Sequence, residues 1–427
     1  MSSLTPQDLF AIARTGLQDT PASAAPPERL ISIWEITRWI LPMAPEHFRR
    51  VLAAEPGLPQ GSMAVEGGTR WFSPADLPRL RAHFAPRSRR GRYQPQRPEG
   101  ARAPLIVLTQ PQGRGGRSVA ARHLATAAAL AGYRVLLIDA DPAGQLGRAL
   151  HLPPEAATPG VAGLIARSAA HHLRRLNAAR LDRGEAPLPM DETLTAALRL
   201  RAQALIRPSV WPGLDVMPAS AALFQADQQI AGWRMLLRNW QPWQALAEAI
   251  DTDGLRQDYD LILCDPAAGL APLALSMLAS ADLLLAPLPL RPGALEALTE
   301  AMTALATAAT ALQAKAQMVA GALGQSAPAL PWRDLAVLPT RAGSDAAALL
   351  AGFAAKLGST PLGPALLPDA LPELAHGADP LSFYDLDYRS LGKLAYSPQR
   401  DACETAWRGF AQRLAGLAQH QGHLPLT

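Results

Sequence analysis

The chain has 427 residues, 49% of them hydrophobic and 18% charged, with a formal net charge of +4 and a pI near 9.3. That length and apolarity allow a large buried core and predict two domains. Two cysteines, Cys264 and Cys403, exclude a disulfide framework and fit a reducing compartment, and no apolar run reaches the length of a membrane span. The N-terminus lacks a basic stretch followed by an apolar one, so no signal peptide is expected, and the expectation is a soluble, cytoplasmic protein. Arginine supplies almost all the positive charge, because Lys315, Lys356 and Lys393 are the only lysines.

Residues 1–26 mix a short apolar-periodic stretch with an Ala- and Pro-rich one and read as a tail. Residues 27–85 read as a small domain of their own. Residues 30–40 have a helical period, and Pro42-Met43-Ala44 reads as a turn. Pro45 then stands at the first position of a second helix, where its missing N–H costs nothing. That helix carries His47, Arg49 and Arg50. Two short strands over 62–72 flank Glu66-Gly67-Gly68, a hairpin turn. Ser73 caps a third helix with Pro74 at its first position. Helix–turn–helix followed by a hairpin predicts a winged helix-turn-helix, with Arg49, Arg50 and Arg70 as candidate DNA phosphate contacts. Residues 86–103 form a basic linker whose stretch 86–98 has five arginines, three prolines and no acid. It reads either as a solvated tether or as a phosphate-contacting arm.

From residue 104 to 427 strand and helix patterns alternate, which predicts an α/β domain with a mostly parallel sheet. The predicted strands cover 104–108, 134–139, 214–217, 260–265 and 283–287, with later candidates at 335–339 and 361–367. Residues 155–210 read as mostly helical and Arg-rich. Trp233, Trp240 and Trp243 recur at near-helical spacing and are read as packing aromatics. The adjacent His171 and His172 would point to different faces of a helix and make a poor metal site.

Between the first strand and a helical pattern over 119–131 lies Thr109-Gln110-Pro111-Gln112-Gly113-Arg114-Gly115-Gly116-Arg117-Ser118. Strand, glycine loop and helix in that order make a P-loop NTPase-like phosphate-binding loop, whose backbone N–H groups and helix N-terminus cradle phosphates. Arg117 stands where the loop's lysine is expected, and its planar fork is a different phosphate ligand from a compact ammonium. Asp139-Ala140-Asp141-Pro142 ends a second buried strand, and Asp265 ends another. In an open α/β sheet these strand ends converge on one ligand site. Carboxylates there hold Mg²⁺ or orient an attacking water, and Ser118 offers the metal a hydroxyl.

Together these residues resemble the ParA/MinD family of deviant Walker A ATPases. The resemblance covers nearly the whole chain and is closest to the plasmid-partition branch with an N-terminal winged helix-turn-helix, including the RepA proteins of repABC plasmids. Gly67-Gly68-Thr69-Arg70-Trp71-Phe72 and Asp76-Leu77-Pro78-Arg79-Leu80-Arg81 look like that branch's wing and following helix. Stretches near the C-terminus, Tyr384-Asp385-Leu386-Asp387 and Ala402-Cys403-Glu404-Thr405-Ala406, are also similar. The resemblance implies ATP or ADP with Mg²⁺ at Gly113, Arg114, Gly115, Gly116, Arg117 and Ser118. It implies metal contacts from Ser118, Asp139 and Asp265, and Asp141 as the residue that positions the attacking water. Gln112 aligns with the family's signature lysine, Arg117 with its Walker lysine, and Arg114 with a glycine, so weak or absent hydrolysis is expected.

The function expected from this set is plasmid or chromosome partition: DNA binding by residues 27–85, homodimerisation through the α/β domain, a ParB-like partner and a nucleoid-associated location. Three alternatives stand beside it. One is an ATPase that works with arginine in the loop; the others are a ParA-like scaffold for a non-DNA cargo and a DNA-binding repressor indifferent to nucleotide.

Overall fold

The computed structural model describes residues 29–63, 68–88, 93–95, 97, 99–109, 116–150, 152, 159–237, 239–322, 324, 326, 327, 329–360, 362–373, 382–386 and 388–419. The tail expected over residues 1–26 lies outside them.

The N-terminal module opens with β1 (Ile31–Ser32). The helix expected over 30–40 is divided, because Ile31 and Ser32 pair with Phe72 and Trp71 instead. Ser32 and Glu35 then form a capping box that starts α1 (Ile33–Glu35), and a π-helical turn, Ile36–Ile40, continues it. α2 (Pro45–Ala54) has proline at its first position, as expected. β2 (Ser62–Met63) and β3 (Arg70–Phe72) form the hairpin, and β1 joins the other edge of β3, giving the order β1-β3-β2. Glu66 and Gly67 of the expected turn lie outside the described residues. Ser73 caps a 3₁₀ turn, Pro74–Asp76, that leads into α3 (Leu77–Phe84). Phe48 sits between Phe72 and Phe84, with ring centroids 6.0 and 5.5 Å away.

The large sheet contains β4 (Leu105–Leu108), β5 (Val135–Ala140), β6 (Arg207–Pro208), β7 (Leu214–Met217), β8 (Leu261–Pro266), β9 (Leu283–Pro289) and β10 (Asp334–Thr340). Their order is β10-β9-β4-β8-β5-β7-β6, parallel throughout except for the edge strand β6. The expected strands up to 335–339 are all present, whereas the described part of the candidate at 361–367, residues 362–367, is not a strand. Gly363–Ala365 there is a 3₁₀ turn, and Leu366 alone bridges to Val337; Pro364 has no N–H to give a ladder.

The helices in chain order are α4 (Arg117–Ala131), α5 (Gln145–Ala149), α6 (Gly160–Asp182), α7 (Glu192–Ala197), α8 (Leu223–Leu236), α9 (Ala245–Thr252), α10 (Leu255–Asp258), α11 (Pro272–Ala279), α12 (Ala294–Ala322), α13 (Ala346–Leu357), α14 (Tyr388–Leu391) and α15 (Lys393–Gln419). Successive strand residues alternate between the two faces. Ile106 and Leu108 join Val135 and Leu263 in a core shared with α4, α15 and the N-terminal module. Leu105 and Val107 join Leu136 and Ile262 in a second core under α6, α8, α9 and α11. Burial on both faces accounts for the continuous apolar runs of the central strands. Trp233, Trp240 and Trp243 are buried, as their reading as packing aromatics required.

Two joints fix the module to the sheet domain. Arg81 of α3 donates to the carbonyls of Leu130, Ala131 and Tyr93, satisfying acceptors left over where α4 ends at left-handed Gly132. A Cβ at Gly132 would meet the Arg81 guanidinium at 3.0 Å. At the other joint Glu35 pairs with Arg29 and accepts from Tyr396 Oη at 3.0 Å, while Trp39 Nε1 donates to Asp401 at 2.8 Å. The linker is partly drawn inward. Tyr93 is buried and its hydroxyl donates to Pro42 O at 2.8 Å, and Arg97 donates to the carbonyls of Ala101, Gln257 and Tyr259. Arg97 is therefore neither a solvated tether residue nor a phosphate contact; the linker's Arg89, Arg90 and Arg92 lie outside the described residues.

Candidate functional site

The carboxyl ends of β4, β5 and β8 come together because β4 lies beside β8 and β8 beside β5. Asp139 and Asp265 are direct partners across the β5–β8 register. After β4 the chain returns at Gly116, whose φ of +81° requires a residue without a Cβ penalty, and Gly116 is the N-cap of α4. Gln112, Gly113, Arg114 and Gly115 lie outside the described residues. Ser118 Oγ donates to Asp265 Oδ2 at 2.6 Å. Arg117, only 8% exposed, lies between two carboxylates: its Nη2 is 3.5 Å from Asp141 Oδ2 and its Nε 3.6 Å from Asp265 Oδ1. Asp139 accepts backbone N–H bonds from Asp141 at 3.2 Å and Gly147 at 3.3 Å. Asp141 Oδ1 accepts from Ala143 N–H at 2.9 Å, which aims the other oxygen at Arg117. The candidate residues Arg117, Ser118, Asp139, Asp141 and Asp265 thus form one contiguous group.

The AAA domain family model matches residues 103–318, half of the chain. A replication protein A homologue of Sinorhizobium fredii is 26% identical over 267 residues, 59% of this chain and 56% of that protein. The chromosome partitioning protein ParA of Caulobacter vibrioides is 29% identical over 198 residues, 46% of this chain and 60% of its own length. A solved partition protein aligns with a TM-score of 0.55 and 16% identity over 95% of this chain and 96% of that one, which shows a common fold. The chain belongs to the ParA/MinD-type P-loop ATPases. It spans little more than half the length of the two curated relatives named here.

In this ParA/MinD-type chain the strand-end carboxylates are costly to ionise. Burial, and then the charge of neighbouring Asp265, raise Asp139 to about 7. Burial raises Asp265 to about 6, against the opposing pull of Arg117 and the Ser118 hydrogen bond. Among the described residues, Asp265 Oδ1 and Thr109 Oγ1 are buried without a hydrogen-bond partner. Buried oxygens with hydrogen-bonding capacity to spare around a helix N-terminus fit a site completed by a ligand. Ser118, Asp265 and Asp139 are hard oxygen donors of the kind Mg²⁺ takes, and no group of three His, Cys, Asp or Glu among the described residues makes a metal cage. Sequence reasoning did not mark Thr109 or Thr340, both buried at the ends of β4 and β10. A threonine ending a strand is common, and only its position in the sheet singles it out.

The three candidate DNA contacts are all in the N-terminal module but do not face one way. Arg49 and Arg70 line one cleft. Arg50 is exposed beside His47, with Nη2 3.2 Å from His47 Nδ1. No helix among the described residues is long and apolar enough to cross a membrane.

Proposed function

We propose that this chain is a ParA/RepA-like partition protein that binds DNA through residues 27–85 and dimerises through residues 104–427. Its nucleotide site is altered and hydrolyses ATP weakly or not at all. The observation that carries the altered site is Arg117, held between Asp141 and Asp265. A phosphate that recruits this guanidinium competes with two carboxylates for its charge in a poorly solvated site. An ion pair broken there leaves uncompensated charge, so nucleotide binding is weakened by that cost. The bulky fork also cannot follow a moving phosphoryl group as a lysine ammonium does. Ser118 and Asp265, with Asp139 behind them, would hold the Mg²⁺ of a bound ATP or ADP, and that ion would supply positive charge beside the phosphates. Asp141, partly exposed at the rim, is the residue placed to orient water.

The DNA-binding part is supported by the module's topology. Two helices between β1 and the β2–β3 hairpin, with β1 returning beside β3, are consistent with a winged helix-turn-helix and support that reading. α2 presents Glu46, His47, Arg49 and Arg50 to solvent, as a recognition helix would. The names of the relatives, chromosome partitioning protein and plasmid partition protein, support a partition role; a ParB-like partner and a nucleoid-associated location complete the proposal.

The deciding experiment is calorimetric titration of the full chain with ATP and ADP in the presence of Mg²⁺. Weak binding that disappears in Arg117→Ala and in Asp265→Ala supports an altered but functioning site. No heat at millimolar nucleotide removes the nucleotide from the proposal and leaves a DNA-binding dimer. Turnover that Asp141→Ala abolishes would show an ATPase that works with arginine.

A further inference from the structure

Beside the recognition helix the structure has a cleft of about 600 Å³ whose walls come from both ends of the chain. α2 and the hairpin supply Arg49, Thr69 and Arg70, and α1 supplies Trp34. The opposite wall is the corner where α14 meets α15, with Tyr388 and Lys393. Among the described residues three cations line it and no carboxylate does. Glu46, at the cleft's edge, reaches Arg49 at 3.7 Å with both side chains largely exposed. A pair so exposed contributes little and yields readily to a stronger anion.

Aromatic rings hold Lys393 and its neighbour Arg389. Lys393 Nζ lies 5.2 Å from the Trp34 ring centroid and 5.1 Å from that of Tyr388. One turn away, the Arg389 guanidinium lies 4.3 Å over Trp71. Arg70 Nη1 is steadied by Gln60 O and Oε1, each at 3.3 Å. A cation over a π face keeps its full charge while losing much of its side-chain freedom, so little ordering remains to be done when an anion arrives. The volume is that of a small-ligand pocket, large enough for a stretch of sugar-phosphate and too small for a duplex. Convergent positive charge suits a phosphodiester backbone, and contacts to phosphate carry no sequence information.

We infer that the α14–α15 corner is the second wall of the DNA interface, so that one strand's phosphodiester backbone lies in the cleft between Arg49 and Arg70 on one side and Lys393 on the other. This rests on the reading that the N-terminal module binds DNA. It adds that the interface is composite, joining residues more than 300 apart in sequence, and that DNA bridges the module and the sheet domain. Arg50 and His47, on another flank of α2, lie outside the clamp.

The test is salt-dependent binding of the full chain to a short random-sequence duplex, read by fluorescence anisotropy between about 50 and 200 mM salt. Each of Arg49→Gln, Arg70→Gln and Lys393→Gln is expected to lower the slope of log affinity against log salt by about 0.9, and the Arg49→Gln/Lys393→Gln pair by about twice that. Lys393→Arg is expected to restore most of the slope, and circular dichroism checks that each variant is folded. A Lys393→Gln protein with the parent's slope and affinity, alongside a weakened Arg49→Gln protein, overturns the second wall while DNA binding by the module stands. A parent protein that does not bind the duplex overturns the DNA reading itself and the clamp with it.

Discussion

Arg117 and Lys393 each open a helix, α4 and α15, and those two helices pack together on one face of the sheet. Around Arg117 the structure places two carboxylates within 3.6 Å and buries the guanidinium. Around Lys393 it places two aromatic rings and leaves the side chain exposed. Both positions carry one positive charge, yet a phosphate approaching Arg117 competes with protein anions, whereas one approaching Lys393 meets an ammonium that no carboxylate among the described residues of the cleft neutralises. What a cation can bind is set by what already holds it, and the low dielectric around Arg117 makes that hold strong.

The contrast can be broken most directly at Arg117. Arg117→Met removes the counter-ion of two carboxylates and is expected to cost about 3–5 kcal/mol of stability at pH 8 by urea denaturation. A loss below about 1 kcal/mol would mean that the ion pairs do not hold the site. The helix behind the site provides a titration. His123 is fully buried in α4, and its Nε2 accepts from Phe383 N–H at 3.1 Å. Burial first, then the charges of Arg122 and Arg400, lower it from 6.5 to about 4. A base depressed in the folded state leaves stability intact above pH 6.5 and loses it as pH falls towards 4, because only the unfolded chain takes up the proton. The expected loss across that window is about 3 kcal/mol, and His123→Gln should flatten it. Ser118→Ala deletes the 2.6 Å bond to Asp265 and is expected to cost about 2 kcal/mol. Smallest of all, Arg49→Gln and Lys393→Gln should each change stability by less than about 0.5 kcal/mol, since their side chains are exposed. A larger loss in either would show that the cleft is a structural joint rather than a surface held ready for phosphate.

Much of this was legible in the residues. The buried strands announce themselves as runs such as Leu105 to Leu108 and Leu261 to Cys264, because a parallel strand covered on both faces must be apolar throughout. Pro45, Ser73 and Pro74 marked helix starts in the N-terminal module through chemistry local to a few residues. Gly116, Arg117, Ser118, Asp139 and Asp265 could be grouped because strand ends in such a sheet converge. Ile31 and Ser32 were misjudged as helix because their pairing with Trp71 and Phe72 is an interaction across forty residues that a helical period cannot reveal. Residues 362–367 failed as a strand because Gly363–Ala365 closes a 3₁₀ turn around Pro364, which has no N–H, and an apolar run does not reveal that turn.

By itself, then, the sequence determined the α/β class, the strand order along the chain, the glycine loop without its lysines and the membership of the ParA/MinD-type family. Each of these follows from local pattern or from motif. Only the tertiary structure decided that Arg117 is pinned by Asp141 and Asp265, that Arg97 turns inward, and that Arg49 and Arg70 meet Lys393 across a cleft. Those facts depend on which side chains distant in sequence come within a few ångströms, and electrostatic interactions at that range are fixed by the fold rather than by composition.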